Sequence, residues 1–255
     1  MTFNGIDPRT LHPGITIAKE IPPGAPASKV ETVVSGTGEI LAGRTLSQTT
    51  YTVRVNLAGR NIRQGWEMRQ ILADWARPTD KTARRLVPTH WPTVYYDAVC
   101  KEIDPVELSR GFATVEVVFL LLRPIAKSIR TSTAAPSAGE ATTTARIGGT
   151  HYAHPDISMA DLSAGTSGLV LYVDDIPRLK LSGTITAGST IDLIAGDRPR
   201  LTQTMPSGEA EDVTSRIAYA ETDFGALWSA FEPGRHEVRT VPTSKIRLTW
   251  RDEWV

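Results

Sequence analysis

The C-terminal stretch Lys245-Ile-Arg-Leu-Thr-Trp-Arg-Asp-Glu-Trp-Val255 carries the clearest fold signal in the second half of the chain. Ile246, Leu248 and Trp250 alternate with charged or hydroxyl side chains, so one face of a strand buries apolar surface while the other meets water. Upstream, Pro233-Gly234 joins a residue of fixed φ to one that tolerates φ above zero, as a tight reversal requires. These features predict the closing hairpin of a β-sandwich.

Short strand candidates separated by Gly, Pro and Asp residues fill the region before this stretch. They include Gly168–Val173, Arg178–Leu181, Thr184–Thr186, Thr190–Ile194, Arg200–Gln203 and Val213–Tyr219. Short strands at this spacing, with almost no helix, predict an antiparallel sandwich or a jelly roll over residues 146–255. Residues 128–145 are rich in Ser, Thr and Ala, which predicts a linker or an extended arm.

The first half of the chain combines strands with one helix. Alternation is clearest between Thr49 and Leu57, where every second residue is a large apolar one. From Asn61 to Arg77 the period changes to that of an amphipathic helix, whose apolar stripe consists of Met68, Ile71, Leu72 and Trp75. Asn61 is the expected N-cap, and Pro78 is expected to end the helix. Residues 1–127 therefore predict a β-sandwich-like domain with one α-helix, in a chain that is mainly β.

Composition excludes several classes of protein. Lys plus Arg and Asp plus Glu both total 28, so no net field favours specific binding of nucleic acid. No apolar run approaches the roughly 20 residues that span a bilayer, so we expect no membrane insertion. No basic segment followed by an apolar run suggests a signal peptide, which predicts folding in a cytoplasm. Cys100, the single cysteine, suits a small buried hydrophobe.

We find no catalytic or metal-binding motif and expect neither an enzyme nor a cofactor. Gly36-Thr-Gly38 lacks the lysine of a phosphate-binding loop. His151 and His154 lack the further ligands of a metal set. Acidic groups such as Asp174-Asp175 could be interpreted as acid/base pairs for glycoside cleavage, but they flank turns, where carboxylates bind local backbone.

Tryptophans suggest a different kind of site, because their faces suit the apolar side of a sugar or a protein partner. Trp75 lies on the helical stripe and Trp250 on the alternating strand face, so both are expected in cores. Trp91, Trp228 and Trp254 are the least accounted for. We treat these three as candidate contacts for a ligand or partner.

The whole chain resembles the distal tail protein family of long-tailed, siphophage-type bacteriophages. In the first half the resemblance rests on Phe3-Asn-Gly-Ile-Asp7, the strand to Leu57, Leu72-Ala-Asp-Trp75 and the strand that closes on Leu122-Arg-Pro124. In the second half it is sharper and matches the order and spacing of the family's galectin-like domain. The matching motifs are Gly148-Gly-Thr150, Ala153-His-Pro-Asp-Ile157, Ile185-Thr-Ala-Gly-Ser-Thr-Ile-Asp192, Phe231-Glu-Pro-Gly234 and Leu248-Thr-Trp-Arg-Asp-Glu-Trp254.

The resemblance implies a structural protein of the virion tail tip, synthesised in the host cytoplasm. It implies a homo-hexameric ring formed by the N-terminal domain, which joins the tail tube protein to the tail hub or tail fibre proteins around a channel that DNA crosses. The tape measure protein is a further expected partner. The C-terminal domain is expected to be a galectin-like antiparallel β-sandwich that projects outward. The alternative function is a carbohydrate-binding module for host adhesion.

Overall fold

The structure is a computed structural model that describes residues 1–24, 28–35, 38–46, 49–77, 82–104, 110–137, 141–162, 167–195, 200–219 and 230–255. The chain divides into two compact units. The first runs from Met1 to Ile129 and includes Val255, and the second runs from Arg130 to Trp254. Antiparallel strands dominate both units, which confirms a mainly β fold.

The first unit contains, among its described residues, nine strands and one α-helix. The strands are Thr2–Phe3 (β1), Ile15–Ile21 (β2), Ser28–Ser35 (β3), Gly38–Leu46 (β4), Thr50–Ala58 (β5), Arg84–Val87 (β6), Val94–Ile103 (β7), Phe112–Leu121 (β8) and Ala126–Ser128 (β9). The helix is Ile62–Ala76 (α1). The main sheet has the order β1-β6-β7-β8-β5-β2, and β9 pairs with β7.

The core of this unit lies where α1 covers β5 and β8. Tyr51 is directly opposite Phe119, and Val53 is opposite Val117, with all four side chains fully buried. Phe119 also contacts Phe3 and Trp75, with ring centroids 4.7 and 5.9 Å away. Cross-strand aromatic and β-branched pairs of this kind stabilise a sheet. The alternation predicted between residues 49 and 57 is confirmed by β5.

The helix begins where the sequence predicts. Asn61 has extended backbone angles, and its Oδ1 accepts a hydrogen bond of 2.9 Å from the Gln64 N–H, which makes it the N-cap. Met68, Leu72 and Trp75 are buried as predicted. Ile71, the fourth member of the predicted stripe, is only half-buried because it lies at the margin of the packed face.

Strands β3 and β4 form a two-stranded ribbon separate from the main sheet. They pair antiparallel from Ser28 opposite Leu46 to Ser35 opposite Gly38. A single two-stranded ribbon has only marginal stability in water. Among the described residues, the ribbon has no third strand.

The second unit contains, among its described residues, twelve strands. They are Ser132–Ala134 (β10), Thr143–Ile147 (β11), Asp156–Ala160 (β12), Ser167–Val173 (β13), Ile176–Thr184 (β14), Thr190–Ile194 (β15), Arg200–Thr204 (β16), Ala210–Asp212 (β17), Ile217–Tyr219 (β18), Gly234–Val241 (β19), Lys245–Trp250 (β20) and Glu253–Trp254 (β21). One sheet has the order β10-β20-β12-β15-β16-β17 and the other the order β11-β19-β13-β14-β18.

The two sheets of this unit enclose one hydrophobic cluster, so the unit is a β-sandwich. The first sheet supplies Ile157, Met159, Ile191, Leu193, Leu201, Ile246, Leu248 and Trp250. The second supplies Ala145, Ile147, Leu169, Leu171, Val173, Leu179, Leu181 and Val238. Inward residues from both sheets alternate with outward polar ones, as in sandwiches generally. The strand alternation predicted for Ile246, Leu248 and Trp250 is confirmed.

The predicted closing hairpin is wrong. Phe231 pairs with Ala153, while β19 pairs with β11 and β13, and β20 pairs with β10 and β12. The chain passes from one sheet to the other between β19 and β20, where the buried Thr240 and Ser244 hydroxyls lie 2.7 Å apart. Alternation identifies the buried face of a strand, but it does not identify the neighbouring strand.

The segment 128–145, predicted as a linker or arm, includes β10 and the start of β11. β10 pairs with β20, and β11 pairs with β19. Its small side chains suit buried positions in the sandwich, because Thr143 and Ala145 are fully buried and Thr143 Oγ1 donates a 2.8 Å hydrogen bond to the Ile246 carbonyl. A lack of large apolar residues therefore does not exclude strand structure here.

Gly149 provides a stability test for the second unit, with Gly208 as its matched control. Both have positive φ, +84° and +88°, but a Cβ on Gly149 would lie 2.0 Å from the Glu253 carbonyl oxygen, whereas a Cβ on Gly208 meets nothing within 4 Å. Gly208→Ala should cost about 1 kcal/mol through backbone strain alone. Gly149→Ala should lower the free energy of unfolding by at least about 2 kcal/mol more than Gly208→Ala, because the backbone at Glu253 must move to make room for the methyl group. Urea unfolding of the two variants measures this difference, and equal losses would contradict it.

Candidate interaction surfaces

The outer face of α1 carries an exposed apolar and cationic cluster. Ile62 is 54% exposed and Trp66, one turn later, is 50% exposed. The Arg69 guanidinium lies over the Trp66 ring, 5.3 Å from its centroid. Arg69 Nε is buried and has no hydrogen-bond partner within the described part of the chain. Trp and Arg are the residues most enriched at energetic centres of protein interfaces.

Sequence analysis did not single out Trp66. The signal was present, because at about 100° per residue Trp66 lies about 200° around the helix from Met68, which is buried. Its exposure is therefore a consequence of the same periodicity that buries Met68, Leu72 and Trp75.

The three predicted tryptophan sites are not brought together in one described place. Trp91 is half-buried in the first unit, just before β7, and its carbonyl accepts a hydrogen bond from the Val94 N–H. Trp254 is half-buried in β21 of the second unit. Trp228 lies outside the described residues. Ligand or partner contact at these positions stays a prediction.

Glu20 lies at the centre of a dense polar network in the first unit. Its Oε1 accepts hydrogen bonds from the Met1 amino group (3.0 Å) and the Thr89 hydroxyl (2.5 Å), and the Met1 amino group also contacts that hydroxyl. Its Oε2 accepts from the Tyr51 hydroxyl (2.6 Å) and the Thr89 N–H (3.0 Å). His90 Nδ1 lies 3.9 Å from Oε2. Both carboxylate oxygens therefore have two donors.

This network fixes the charge of Glu20. Partial burial acts to raise its pKa, but the bonds from Thr89, Tyr51 and the Met1 amino group outweigh burial and lower the pKa to about 2. Burial and the bond to Glu20 raise the pKa of Tyr51. An open depression of about 520 Å³ lies beside the network and is lined by Arg9, Lys19 and Thr89, among others. A charged carboxylate that already accepts four hydrogen bonds is a poor base near neutral pH. Because its donors come from Met1, Tyr51 and Thr89, the network instead holds β2 against the rest of the first unit.

The acidic pair Asp174-Asp175 forms the turn between β13 and β14. Both residues have positive φ, 51° and 64°, as in the two-residue turn that matches the twist of a hairpin. Asp174 Oδ1 accepts a 2.9 Å hydrogen bond from the Glu237 N–H, and Arg239 Nη2 lies 3.1 Å from Asp175 Oδ1. The pair lies at a turn as predicted, but its carboxylates contact residues of β19 rather than local backbone.

His236 links this turn to the start of β19. Its Nδ1 lies 2.7 Å from Asp174 Oδ2, and its Nε2 lies 2.7 Å from the Glu232 carbonyl oxygen. Partial burial acts to raise the pKa of Asp174, but the Glu237 N–H and His236 lower it below its ordinary value. Both imidazole nitrogens therefore lie within hydrogen-bond distance of an oxygen atom, and the ring joins the turn to the start of β19.

Other chemistry is sparse in the described ranges. They contain no group of three His, Cys, Asp or Glu side chains arranged to hold a metal ion. Cys100 is half-buried rather than fully buried, its Sγ lies 3.7 Å from the Glu102 carbonyl, and burial raises its pKa. No described helix has the length and apolar character needed to cross a membrane.

These features define a two-unit β protein, in which a sheet covered by one helix precedes a two-sheet sandwich. That arrangement matches the crystal structure of SPP1 Dit (gp 19.1), described as a paradigm of the hub adsorption apparatus in phages that infect Gram-positive bacteria. The TM-score is 0.72 at 12% sequence identity, over 99% of this chain and 98% of that one. The chain therefore has the fold of Dit, which confirms at the level of the fold the resemblance to distal tail proteins. The galectin-like character of the second unit stays a prediction.

Two structures of the phage P2 baseplate in its activated conformation give looser matches. The structure with Ca aligns at a TM-score of 0.39 and 10% identity, over 94% of this chain and 90% of that one. The structure with Sr aligns at 0.41 and 10%, over 93% and 90%. Neither score establishes a common fold. No protein-family model matches the chain, and no curated protein matches its sequence.

Glu20 provides a pH test of the network in the first unit. Its pKa is lower in the folded protein, about 2, than its ordinary value of 4.5. Its stabilisation is therefore complete well above pH 4.5 and is lost as the pH falls toward 2. After allowance for solvent screening, we expect the charged Glu20 carboxylate to contribute about 1–2 kcal/mol to the free energy of unfolding at pH 7.

Urea unfolding of the wild type and Glu20→Gln measures this contribution. The difference between the two proteins should be less than half as large at pH 3 as at pH 7, since most of the linkage lies in that window. Glu67→Gln is the matched control, because the ion pair of Glu67 with Arg63 is exposed to solvent. This substitution should change the free energy of unfolding by less than about 0.5 kcal/mol. A pH-independent effect of Glu20→Gln would contradict the assignment.

Proposed function

We propose that this protein is a structural component of a bacteriophage tail tip, in which six copies form a ring that joins the tail tube to the tail hub or fibres. The observation that carries the proposal is the likeness of fold to SPP1 Dit along nearly the whole of both chains. In this role the chain works through assembly rather than catalysis. Its partners are other copies of itself, the tail tube protein, the hub or fibre proteins and the tape measure protein.

The first unit has features that favour assembly. In the main sheet, the seven-residue strand β2 lies at one edge and the two-residue strand β1 at the other. An open sheet edge is a template for pairing with another chain. The ribbon of β3 and β4 pairs only with itself among the described strands. Contacts with neighbouring copies would cover both features, and a heterologous contact repeated by rotation closes into a ring.

We assign the ring to the first unit and an outward, variable role to the sandwich. The second unit has a hydrophobic core of its own, made only from its own residues. A channel through the ring suits the balanced charge of the chain, 28 basic against 28 acidic residues, because a strongly basic lumen would retain DNA through phosphate contacts.

Electron microscopy of the purified protein tests the proposal. We expect six-fold rings with a central channel, and light scattering should give a particle mass six times that of the 27.8 kDa chain. A protein that stays strictly monomeric at high concentration would refute the ring.

A further inference from the structure

We propose that the outer face of α1 in one copy binds the face of the main sheet opposite α1 in the next copy. The inference rests on the proposed function and deepens it, because it names two surfaces, besides the sheet edges, through which copies meet. We call the first surface the helix patch, defined by Ile62, Trp66, Arg60 and Arg69. We call the second the sheet patch, defined by Phe112, Val118, Leu120, Glu102 and Asp104.

The helix patch has the chemistry of an interface centre. A helix that packs on a sheet through Met68, Leu72 and Trp75 should present polar groups on its other side. Instead, Ile62 and Trp66 leave about half of their surface exposed, one turn apart. Stacking of Arg69 on Trp66 also restricts both side chains before any partner binds, which lowers the entropy cost of association.

The sheet patch lies on the opposite side of the same sheet. Along β8, Val115, Val117 and Phe119 are fully buried on the side that α1 covers. The even-numbered residues of β8 lie on the second face, where Phe112 is 61% exposed at one end and Val118 and Leu120 are partly exposed at the other. Between these ends the face is polar, because Thr114 bonds to Asn56 and Glu116 pairs with Arg54. Leu120 is opposite Val99 on β7, so the apolar surface extends across two strands. The apolar part of this face, at Val99, Val118 and Leu120, is the part that a partner would cover.

The charges of the two patches are complementary. On the helix patch, Arg60 and Arg69 form no ion pair with any described residue. On the sheet patch, Glu102 is opposite Val118, and Asp104 follows it with its N–H bonded to the Glu116 carbonyl. Neither Glu102 nor Asp104 forms an ion pair within the described ranges. Two arginines beside an apolar centre therefore match two carboxylates beside another apolar centre.

A second copy of the chain is the occupant that fits both patches. Each copy carries one helix patch and one sheet patch, which differ in shape and in charge. A contact between unlike surfaces is heterologous, and such contacts continue from copy to copy until a ring closes. An interface between two like patches would instead oppose arginine to arginine or carboxylate to carboxylate.

Charge reversal tests the pairing in the full-length protein. Arg69→Glu and Glu102→Arg should each raise the protein concentration at half-assembly at least tenfold, measured by light scattering and analytical ultracentrifugation. The double variant should recover most of this loss, because the opposite charges face each other again. Arg60→Glu is a second single variant at an exposed position. Circular dichroism and thermal unfolding confirm that each variant folds.

Apolar truncation is an independent arm of the experiment. Trp66→Ala should raise the half-assembly concentration at least tenfold, since it removes the centre of the helix patch. Ile6→Ser is the matched control, because Ile6 is 43% exposed in the same unit but belongs to neither patch, and it should change assembly less than threefold.

The outcomes separate this inference from the ring itself. A wild-type protein that forms no ring refutes the proposed function. Wild-type rings that survive Trp66→Ala and Arg69→Glu unchanged refute the helix patch as a contact between copies and leave the proposed function standing. Single variants that weaken assembly without recovery in the double variant refute the pairing of the two patches.

Discussion

The antiparallel pairing of β5 with β8 is the constraint on which the rest of the first unit depends. Tyr51, Val53 and Val55 lie opposite Phe119, Val117 and Val115, and none of the six is exposed to solvent. This buried surface gives α1 its packing site and gives Phe3 and Trp75 their contacts with Phe119. The same pairing fixes which residues of β8 face away from the helix. Any contact made by the face opposite α1 therefore depends on the register of these two strands.

The sequence predicts the elements of this fold better than their partners. Alternation at Tyr51 to Leu57 and at Ile246 to Trp250, and the helical stripe of Met68, Leu72 and Trp75, each follow from a periodicity within one element. Sheet membership depends on residues far apart in the chain. That is why the hairpin predicted around Pro233-Gly234 is not found: Phe231 pairs with Ala153, and β19 pairs with β11 and β13.

The candidate sites show the same division. The turn at Asp174-Asp175 was predictable, since Asp is one of the residues that tight turns favour, but the contacts of its carboxylates with β19 were not. The Glu20 network was not, because its donors come from Met1, Tyr51 and Thr89, which only the folded sheet brings together. Trp66 was predictable from helical geometry, because a position about 200° around the helix from Met68 lies outside the buried stripe. Each prediction succeeded where the decisive contact was local.

The separate hydrophobic core of the sandwich has an evolutionary consequence. Every buried residue of that cluster lies between Ala145 and Trp250, so substitutions that weaken it leave the packing of β5, β8 and α1 unchanged. Under the proposed function, contacts with identical copies constrain changes in the first half of the chain, whereas the loops of the sandwich can change without altering those contacts.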